Sequence, residues 1–505
     1  MPPPAPAPGG AALRRAFAGC TDVEVEIVLS VDYPEVALLI GGVRLDAPRQ
    51  REPVFNPATA GQIGSYPVAT AADLDAALAA AQRGFAHWRG VNAHDRGRVL
   101  KRAAQLLRER GEDIARLASL ESGKSVHEAR IELHAAADLF EWYGEECRRS
   151  YGRLLVSRGP GTRLTVRKEP IGPVAAFAPW NFPLGNPARK LGAPLAAGCS
   201  VIMKPAEDTP ASALAIAQSL LDAGLPPDTL SIVFGVPAAI STHLLASPII
   251  RKVSFTGSTT VGKQLMRLAA DGAKRTTMEL GGHAPVLVYG DVDVDAVLEL
   301  AVAAKFRNAG QVCVSPTRFY VHESIYPRFV EGFAARARAW PVGDGLDESK
   351  RMGPLVHPRR LPAIQSLVDD ARSAGARVMA GGARLERPGW FYAPTVLADV
   401  PDTARIMNEE PFGPIAVLNP FRDHDAVVRA ANRLPYGLAA FAFTESRRTA
   451  ALLGEQLEAG MVGINHFRIA FSDAPFGGVK ESGHGSEEGP EGLEACLVTK
   501  FVSEA

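Results

Sequence analysis

The chain has 505 residues, of which 47% are apolar and 22% charged, and its 55 basic side chains balance its 55 acidic ones. Since one domain takes roughly 100 to 200 residues, this length predicts about two or three domains of a globular α/β enzyme. A zero net charge without a basic cluster argues against a nucleic-acid partner. No apolar run reaches the roughly 18 residues that cross a bilayer, so no membrane association is predicted.

The cysteines and the N-terminus bear on the compartment. Five cysteines lie far apart without a C-x-x-C pair: Cys20, Cys147, Cys199, Cys313 and Cys496. This spacing favours reduced thiols and a cytoplasmic location. Residues 1–35 begin with a Pro/Ala/Gly-rich stretch that lacks a continuous apolar segment, which predicts a disordered or atypical extension rather than a signal peptide.

The segment before residue 150 predicts short strands followed by helices. Apolar residues recur at steps of three and four along 74–88, 99–110 and 126–149, which is the period of an amphipathic helix. His127 and His134 lie seven residues apart without a carboxylate at metal-ligand spacing. We therefore expect both histidines on the surface and no metal site.

Between residues 163 and 279, short apolar strands alternate with amphipathic helices. Strands are predicted at 174–177, 201–204, 230–234, 252–256 and 276–279. Helices are predicted at 187–197, 210–223, 238–246 and 262–270. This alternation is typical of a parallel, doubly wound sheet, whose ligands bind beyond the carboxyl ends of the strands.

Polar and glycine-rich motifs follow three of these strands. Residues 179–183 read PWNFP, 204–207 read KPAE and 257–262 read GSTTVG. Glycines let a backbone approach a pyrophosphate and a helix N-terminus offers free amides, so we expect a nucleotide at this edge. Residues 257–264 nearly form a P-loop, but Gln264 replaces the Ser or Thr that binds magnesium, which argues against an NTPase.

A second α/β region is predicted from residue 282, with a strand at 285–289 and a long helix at 292–308. Cys313 follows a Gly-Gln turn just beyond that helix. A thiolate attacks carbonyl carbon readily, which makes Cys313 a candidate nucleophile. Because a free cysteine is more often a small buried apolar residue, this assignment depends on the rest of the site.

Five motifs occur together along the chain. They are PWNFP at 179–183, ELGG at 279–282, GQVC at 310–313, EPFGP at 410–414 and PFGG at 475–478. In these motifs, and in their order and spacing, the chain resembles the aldehyde dehydrogenase superfamily from about residue 36 to the C-terminus. Within it, the chain looks most like the NAD-dependent succinate-semialdehyde dehydrogenase group.

The resemblance implies an α/β fold with a Rossmann-type parallel-sheet NAD-binding domain, a second α/β catalytic domain and a small β oligomerisation arm. The NAD-binding domain would comprise 36–146 and 170–281, the catalytic domain 282–478, and the arm 147–169 and 479–505. The apolar residues of the tail alternate as in an edge strand, which favours pairing between subunits. A homodimer or homotetramer is therefore expected.

The resemblance also assigns three catalytic residues. Cys313 would attack the aldehyde, the side-chain amide of Asn181 and the backbone amide of Cys313 would stabilise the oxyanion, and Glu279 would activate water to hydrolyse the thioester. Burial in the ELGG run should raise the pKa of Glu279. Alternatively, Asn181 caps a helix and Glu279 pairs with a lysine. The presence of Glu279 favours release of a free acid over transfer to coenzyme A.

For the cofactor, the resemblance implies one set of contacts. They are Trp180, Lys204, Glu207, Gly257, Ser258, Glu410 and Phe412. Lys204 and Glu207 would hold the adenosine ribose, Ser258 would lie near the pyrophosphate, and Glu410 would lie at the nicotinamide ribose. A carboxylate at Glu207 accepts from both ribose hydroxyls but repels a 2′-phosphate, so NAD is expected over NADP, although Lys204 could soften this preference.

Two arginines bear on the substrate. Arg189 and Arg307 could both face the entrance tunnel, and in the succinate-semialdehyde group arginines at both positions hold the distal carboxylate. A pair of arginines suits bidentate carboxylate binding, whereas the alternative is a structural salt bridge to a neighbouring acid. Ala470 and Phe471 stand where that group has small hydroxyl residues, so we expect Phe471 to narrow or reshape the tunnel.

The predicted function is NAD-dependent oxidation of a small carboxylated aldehyde, such as succinate semialdehyde, to the acid. One alternative is another aldehyde, either 2-oxoglutarate semialdehyde or an uncharged aliphatic one. Others are a catalytically silent family member with a structural or binding role, and a thioesterase-like cysteine hydrolase. A need for NAD in turnover separates the last from a dehydrogenase.

Overall fold

The computed structural model describes residues 33–45 and 48–505, so the extension predicted at 1–35 lies almost entirely outside the described residues. The helices are α1 (Ala71–Trp88), α2 (Ala93–Glu109), α3 (Gly111–Ser122), α4 (Val126–Glu146), α5 (Gly185–Ala197), α6 (Pro210–Asp222), α7 (Pro237–Ala246), α8 (Thr259–Asp271), α9 (Val294–Phe306), α10 (Tyr326–Arg338), α11 (Arg360–Ser373), α12 (His424–Asn432), α13 (Arg447–Gln456) and α14 (Gly489–Glu494).

The strands belong to two large sheets and three small ones. They are β1 (Leu38–Ile40), β2 (Val43–Leu45), β3 (Arg51–Phe55), β4 (Gln62–Pro67), β5 (Arg153–Leu155), β6 (Arg163–Pro170), β7 (Val174–Phe177), β8 (Val201–Lys204), β9 (Leu230–Ile232), β10 (Lys252–Thr256), β11 (Arg275–Glu279), β12 (Ala284–Val288), β13 (Pro316–His322), β14 (Arg377–Ala380), β15 (Thr395–Ala398), β16 (Ile415–Phe421), β17 (Tyr436–Gly437), β18 (Ala439–Phe443), β19 (Met461–Ile464), β20 (Val479–Lys480), β21 (Gly483–His484) and β22 (Leu497–Glu504).

The first large sheet has the strand order β2-β1-β9-β8-β7-β10-β11-β21. Its strands from β9 to β11 are parallel, and antiparallel pairs close both ends. The central strands β7 and β8 are buried at every residue, as expected when helices cover both faces of a parallel sheet. The predicted doubly wound sheet is confirmed, with β9 ending at Ile232 rather than at residue 234.

The second large sheet has the order β14-β15-β16-β13-β12-β18-β19 and is parallel except at β14. Each large sheet has its own buried core, and the residues change from one core to the other between Leu280 and Ala284. None of the described helices combines the length and the apolar character that crossing a membrane requires.

A three-stranded antiparallel sheet, in the order β22-β6-β5, forms an arm. β22 pairs with β6 over eight residues, from Leu497 opposite Pro170 to Glu504 opposite Arg163. The tail is thus an edge strand, although it begins later than its apolar pattern predicts, because Leu493 lies in α14.

The helix predicted at 292–308 is shorter at both ends. Asp293 accepts the backbone amides of Asp295 and Ala296, so α9 begins at Val294. It ends at Phe306 and gives way to a 3-10 turn with left-handed residues. Similarly, the helix predicted at 126–149 ends at Glu146, where a short 3-10 helix follows.

Candidate active site

A strained turn between α9 and Cys313 sets the position of the thiol. Asn308, Ala309 and Gly310 are all left-handed, with φ of 48°, 52° and 69°. This conformation costs an alanine on the order of 1 kcal/mol or more, so the surroundings must hold it. The Glu128 carboxylate accepts the Asn308 amide at 3.1 Å, and a Cβ at Gly310 would lie 2.1 Å from the Gly413 carbonyl oxygen. Only glycine fits at that close approach.

The Cys313 thiol lies at the wall of a cavity and is partly exposed. Burial raises its pKa to about 12, Arg189 and Arg307 lower it, and the carboxylates of Glu410 and Glu279 raise it further. The thiol is therefore protonated at neutral pH in this state. A reaction through sulfur requires that this proton be removed.

Asn181 follows β7 and is 4% exposed. Its side-chain amide donates to the Gln311 carbonyl at 3.1 Å, and its side-chain oxygen accepts from Asn186 at 3.2 Å. It does not cap α5, whose N-cap is Leu184 without a side-chain cap hydrogen bond. The amide is thus fixed two residues from Cys313, where an oxyanion would form.

Glu279 ends β11 and is 2% exposed. Neither of its carboxylate oxygens has a hydrogen-bond partner among the described residues. Burial raises the pKa of Glu279 well above its ordinary value; Glu487 adds to the rise, and Lys190 and Arg189 oppose it. A desolvated carboxylate of this kind is a competent base for water.

A buried ion pair that acts on Glu279 was not predicted from the sequence. Lys190 on α5 forms an ion pair with Glu487, and Ser254 donates to the same carboxylate at 3.1 Å. Lys190 forms its ion pair with Glu487. It therefore does not provide the lysine partner of Glu279 that the alternative interpretation requires. The partners are 297 residues apart in sequence, so no local pattern could have indicated the contact.

The cavity at Cys313 has a volume of about 550 Å³, within the usual range for small-molecule sites. Asn181 and Glu279 are not among the residues that line the cavity. Most of its wall is apolar. The apolar lining comprises Ile131, Ala135, Ala136, Leu139, Phe182, Ala304, Val312, Val314, Pro316, Phe467, Ile469, Ala470 and Phe476. We call Cys313, Asn181 and Glu279 the floor of the site.

Three arginines line the same cavity, two of them predicted from the sequence. Arg189 is bound to a neighbouring acid, with its Nε 2.6 Å from Glu488 Oε1, which is the alternative of a structural salt bridge. Arg307 lies over the Phe182 ring, 5.6 Å from its centre. The third, Arg468, was missed because an exposed loop arginine has no distinguishing pattern. We call Arg307 and Arg468 the mouth.

Phe471 does not line the cavity, so the expectation that it narrows the tunnel is wrong. It is 38% exposed and lies beneath Arg468, whose guanidinium is 5.0 Å from the ring centre. Its neighbour Ala470 does line the cavity, and a methyl group leaves room there.

The residues predicted for the nucleotide surround the carboxyl ends of β7, β8 and β10. Trp180 and Phe412 meet edge to face at 5.6 Å, and Glu207 forms an ion pair with Lys204. Ser258 caps α8 by accepting the Val261 amide, and the strand before it ends beside Gly257.

Glu410 completes this edge from the second lobe. Its carboxylate accepts the Gly282 amide at 3.2 Å, and burial raises its pKa to about 7. A Cβ at Gly281 would lie 2.8 Å from Glu410 Oε2, so backbone and carboxylate approach closely. Together with the open N-terminus of the 13-residue α8, these groups fit a dinucleotide, which needs amides for phosphate and carboxylates for ribose. No group of His, Cys, Asp or Glu side chains within 33–45 and 48–505 has the geometry of a metal site.

The two-lobed fold and the thiol beside a nucleotide edge are those of an oxidoreductase. The chain belongs to the aldehyde dehydrogenase family, whose model matches residues 45–502. The family uses NAD or NADP, and its members oxidise aldehydes.

Curated and solved relatives cover nearly the whole chain. The 4-(hydroxymethyl)benzenesulfonate dehydrogenase TsaD1 of Comamonas testosteroni is 49% identical over 92% of this chain and 97% of its own length. The NADP-dependent succinate-semialdehyde dehydrogenase GabD of Escherichia coli K12 is 42% identical over 92% and 96%. A crystal structure of betaine aldehyde dehydrogenase from Staphylococcus aureus with NAD+ superposes with a TM-score of 0.90 at 31% identity, over 92% of this chain and 94% of that one.

Proposed function

We propose that this protein oxidises an aldehyde that carries an anionic group at its far end, releases the free acid and prefers NAD. The observation that carries the proposal is the cationic mouth above the thiol. Neither Arg307 nor Arg468 forms an ion pair with a carboxylate of the described chain, and both are exposed beside the cavity. An unpaired guanidinium at a site entrance is suited to bidentate recognition of a carboxylate or sulfonate.

The relatives support the same class of substrate. The Comamonas protein is named for a benzenesulfonate and the Escherichia coli protein for succinate semialdehyde, and both compounds carry an anion. They differ in the spacer between the anion and the reacting carbon. The shared feature is therefore the charge, which is what the two mouth arginines would recognise.

The floor residues would carry the chemistry. The Cys313 thiol would release its proton to solvent and its sulfur would bond to the aldehyde carbon, while the oxyanion of the adduct accepts from the Asn181 amide and the Cys313 backbone amide. NAD, held by Lys204, Glu207, Ser258 and Glu410, would supply the acceptor for the hydride of that carbon. Glu279 then takes a proton from water, whose oxygen attacks the thioester; the C–S bond breaks, and the acid leaves.

The cofactor preference rests on Glu207. Its carboxylate is already held by Lys204, so it can accept ribose hydroxyls while it repels a 2′-phosphate. Steady-state kcat/KM with both cofactors tests the preference, and Glu207→Gln should shift it toward NADP by about tenfold. A tenfold advantage of NADP in the unmodified protein would contradict it.

The arm provides the surface that we propose for assembly into a homodimer or homotetramer. β5 is exposed along its length, and large apolar side chains are exposed there. They are Leu154 at 73%, Val156 at 96% and Phe501 at 58%. Exposed apolar edge strands of this kind mark contacts with another chain. Light scattering on Val156→Asp should show a smaller species than the unmodified protein.

We propose the cytoplasm as the compartment, consistent with the free thiols of the described residues.

The test of the substrate class is NADH formation with matched aliphatic and aromatic aldehydes, each with and without an anionic group at the far end. Anionic aldehydes should give the higher kcat/KM, and Arg307→Ala should reduce that preference by about tenfold or more. Arg448→Ala, at an exposed position on α13, is the matched control. Higher kcat/KM with apolar aldehydes would overturn the proposal, and absence of NADH with every aldehyde would indicate a silent relative.

A further inference from the structure

The arginines of the cavity do not have equal access to a ligand, and this inequality bears on which anionic aldehydes fit; the inference rests on the proposed function. Arg189 is enclosed: its side chain is 15% exposed, it pairs with Glu488, and its guanidinium lies 4.1 Å above the centre of the Phe476 ring. It is also the cation with the largest effect on the pKa of Cys313. Arg189 and Cys313 line the same cavity, and the charge of Arg189 is already matched by an internal carboxylate.

Glu488, which supplies that carboxylate, has an unusual backbone conformation. Its φ of 60° and ψ of 175° lie in a region that is nearly restricted to glycine. One of its oxygens binds Arg189, and the other is buried without a hydrogen-bond partner among the described residues. A strained, buried and half-satisfied carboxylate persists only where its surroundings hold it, and such strain clusters at functional sites.

The pair at Arg189 leaves anion recognition to the mouth. Arg307 and Arg468 stand over aromatic rings, which orient a guanidinium without neutralising it. Both are exposed, whereas Arg189 is mostly buried. An incoming anion thus meets two exposed guanidiniums that have no ion-pair partner among the described residues, and one enclosed guanidinium that Glu488 already neutralises.

The rest of the wall is mostly apolar, although Lys124, Glu128 and Glu132 also line it. Side chains such as Leu139, Val312 and Ile469 offer no hydrogen bond to a polar spacer. Benzene fits a cavity of about 150 Å³, so the 550 Å³ here accommodates a substituted ring. A four-carbon chain would fill little of this volume.

We infer that the protein selects aldehydes in which an aromatic or similarly bulky apolar spacer separates the carbonyl from a carboxylate or sulfonate. Glu488 acts as a built-in anion that excludes short ω-oxo acids from Arg189. Arg468, together with Arg307, binds the distal anion of the longer substrate. Glu488 and Arg468 are thus specificity-determining residues of this chain.

The experiment measures kcat/KM with NAD for 4-carboxybenzaldehyde, 4-sulfobenzaldehyde, benzaldehyde and succinate semialdehyde. The unmodified protein should favour both charged aromatic aldehydes over the other two by about tenfold or more, since a charge-assisted hydrogen bond contributes that much. Comparison of 4-carboxybenzaldehyde with 4-sulfobenzaldehyde distinguishes a preference for a carboxylate from a preference for a sulfonate. Equal or higher kcat/KM with succinate semialdehyde would overturn this inference.

Two variants locate the selectivity. Arg468→Gln should lower the ratio of charged to neutral aromatic kcat/KM by about tenfold, mainly through KM, and Arg468→Lys should restore part of it. Glu488→Gly removes the internal carboxylate and suits the left-handed backbone, so kcat/KM for succinate semialdehyde should rise by about tenfold. Arg448→Gln is the control and should leave every ratio unchanged.

The outcomes separate the inference from the proposed function. If benzaldehyde exceeds every anionic aldehyde, the proposed function itself fails. If succinate semialdehyde is preferred and Glu488→Gly changes nothing, the proposed function stands and the inference fails. Glu488→Gln, which keeps the shape and removes the charge, provides the same test if the glycine variant melts at a lower temperature than the unmodified protein.

Discussion

The floor and the mouth of the cavity are held by different means. At the floor, the backbone fixes the groups: Asn308 and Ala309 are left-handed, and Asn181 donates to a main-chain carbonyl. At the mouth, the charges are carried by long exposed side chains, each of which lies over the face of an aromatic ring. The floor therefore tolerates little displacement, whereas the mouth can change without disturbing the floor.

This contrast explains how one fold accommodates several aldehydes. Groups that meet the reacting carbon must be preorganised, because a displacement of about 1 Å can cost a hundredfold in rate. Groups that meet the far end of a substrate need only charge and reach. We therefore expect floor substitutions to affect all aldehydes alike and mouth substitutions to separate one aldehyde from another.

Cys313→Ala should have the largest effect, a loss of roughly 10⁴-fold or more in kcat with every aldehyde, because no nucleophile remains. NADH formation measures the rate, and quenching of intrinsic fluorescence measures retained NAD binding. Cys147→Ala, at a buried cysteine that begins the 3-10 helix after α4, is the control and should keep most of the activity. A Cys313 variant that still oxidised one class of aldehyde would contradict the expectation that floor substitutions affect all aldehydes alike.

Glu279→Gln comes next, with an expected loss of roughly 10²-fold to 10⁴-fold in steady-state turnover, since water would lack its base. Rapid mixing should reveal a burst of about one NADH per site before the slow phase, because hydride transfer precedes hydrolysis. Turnover without a burst would indicate that Glu279 acts in a step before the thioester forms, not in its hydrolysis.

Asn181→Ala should lower kcat by roughly 10²-fold to 10³-fold with little change in KM, as for the loss of one oxyanion donor. The loss should be the same for charged and neutral aldehydes. Parallel kcat and KM series on both classes check this, and a change confined to KM would assign Asn181 to substrate binding instead.

The pH profile tests the electrostatics of the floor. Glu279 acts as a carboxylate and its pKa is raised, so turnover should increase as pH rises above neutrality. Glu487 raises that pKa further, so Glu487→Gln should move the acid limb of kcat to lower pH. Melting temperatures at each pH separate this shift from unfolding. A limb that moves to higher pH would contradict the assignment.

Ionic strength should give the smallest effect and should act only at the mouth. Because exposed charges are screened within about 10 Å at 0.1 M salt, kcat/KM for a charged aldehyde should fall roughly twofold to fivefold between about 0.02 and 0.5 M salt. Benzaldehyde serves as the uncharged comparison. An equal fall for both would remove the electrostatic role of the mouth.

Much of the fold follows from local pattern. Strands β7, β8 and β10 are short apolar runs between amphipathic helices, and that alternation predicts that they belong to one parallel sheet. Since the carboxyl ends of parallel strands share one edge, the nucleotide motifs could be placed there from sequence. Asn181 and Glu279 were assigned through the family resemblance, and the structure places both around Cys313.

The contacts that distinguish this chain could not be predicted in the same way. Arg189 meets Glu488 across 299 residues, and neither position shows a period or a motif that indicates the other. The strain at Glu488 depends on its φ, which the residue type does not reveal. The end of α9 was missed because Phe306 to Asn308 continue a helical sequence pattern, whereas the Arg307 backbone, with ψ of 130°, already leaves the helix.

One stretch, from Phe476 to Glu488, bears on both the base and the enclosed arginine of the site. It adds β21 to the first sheet beside Glu279, supplies Glu487 to the base and carries the partner of Arg189. A substitution in this stretch would therefore change both the rate of acid release and the preference among aldehydes. New substrates are therefore more readily acquired through the loop of Arg468, where a change leaves the hydrolytic step intact.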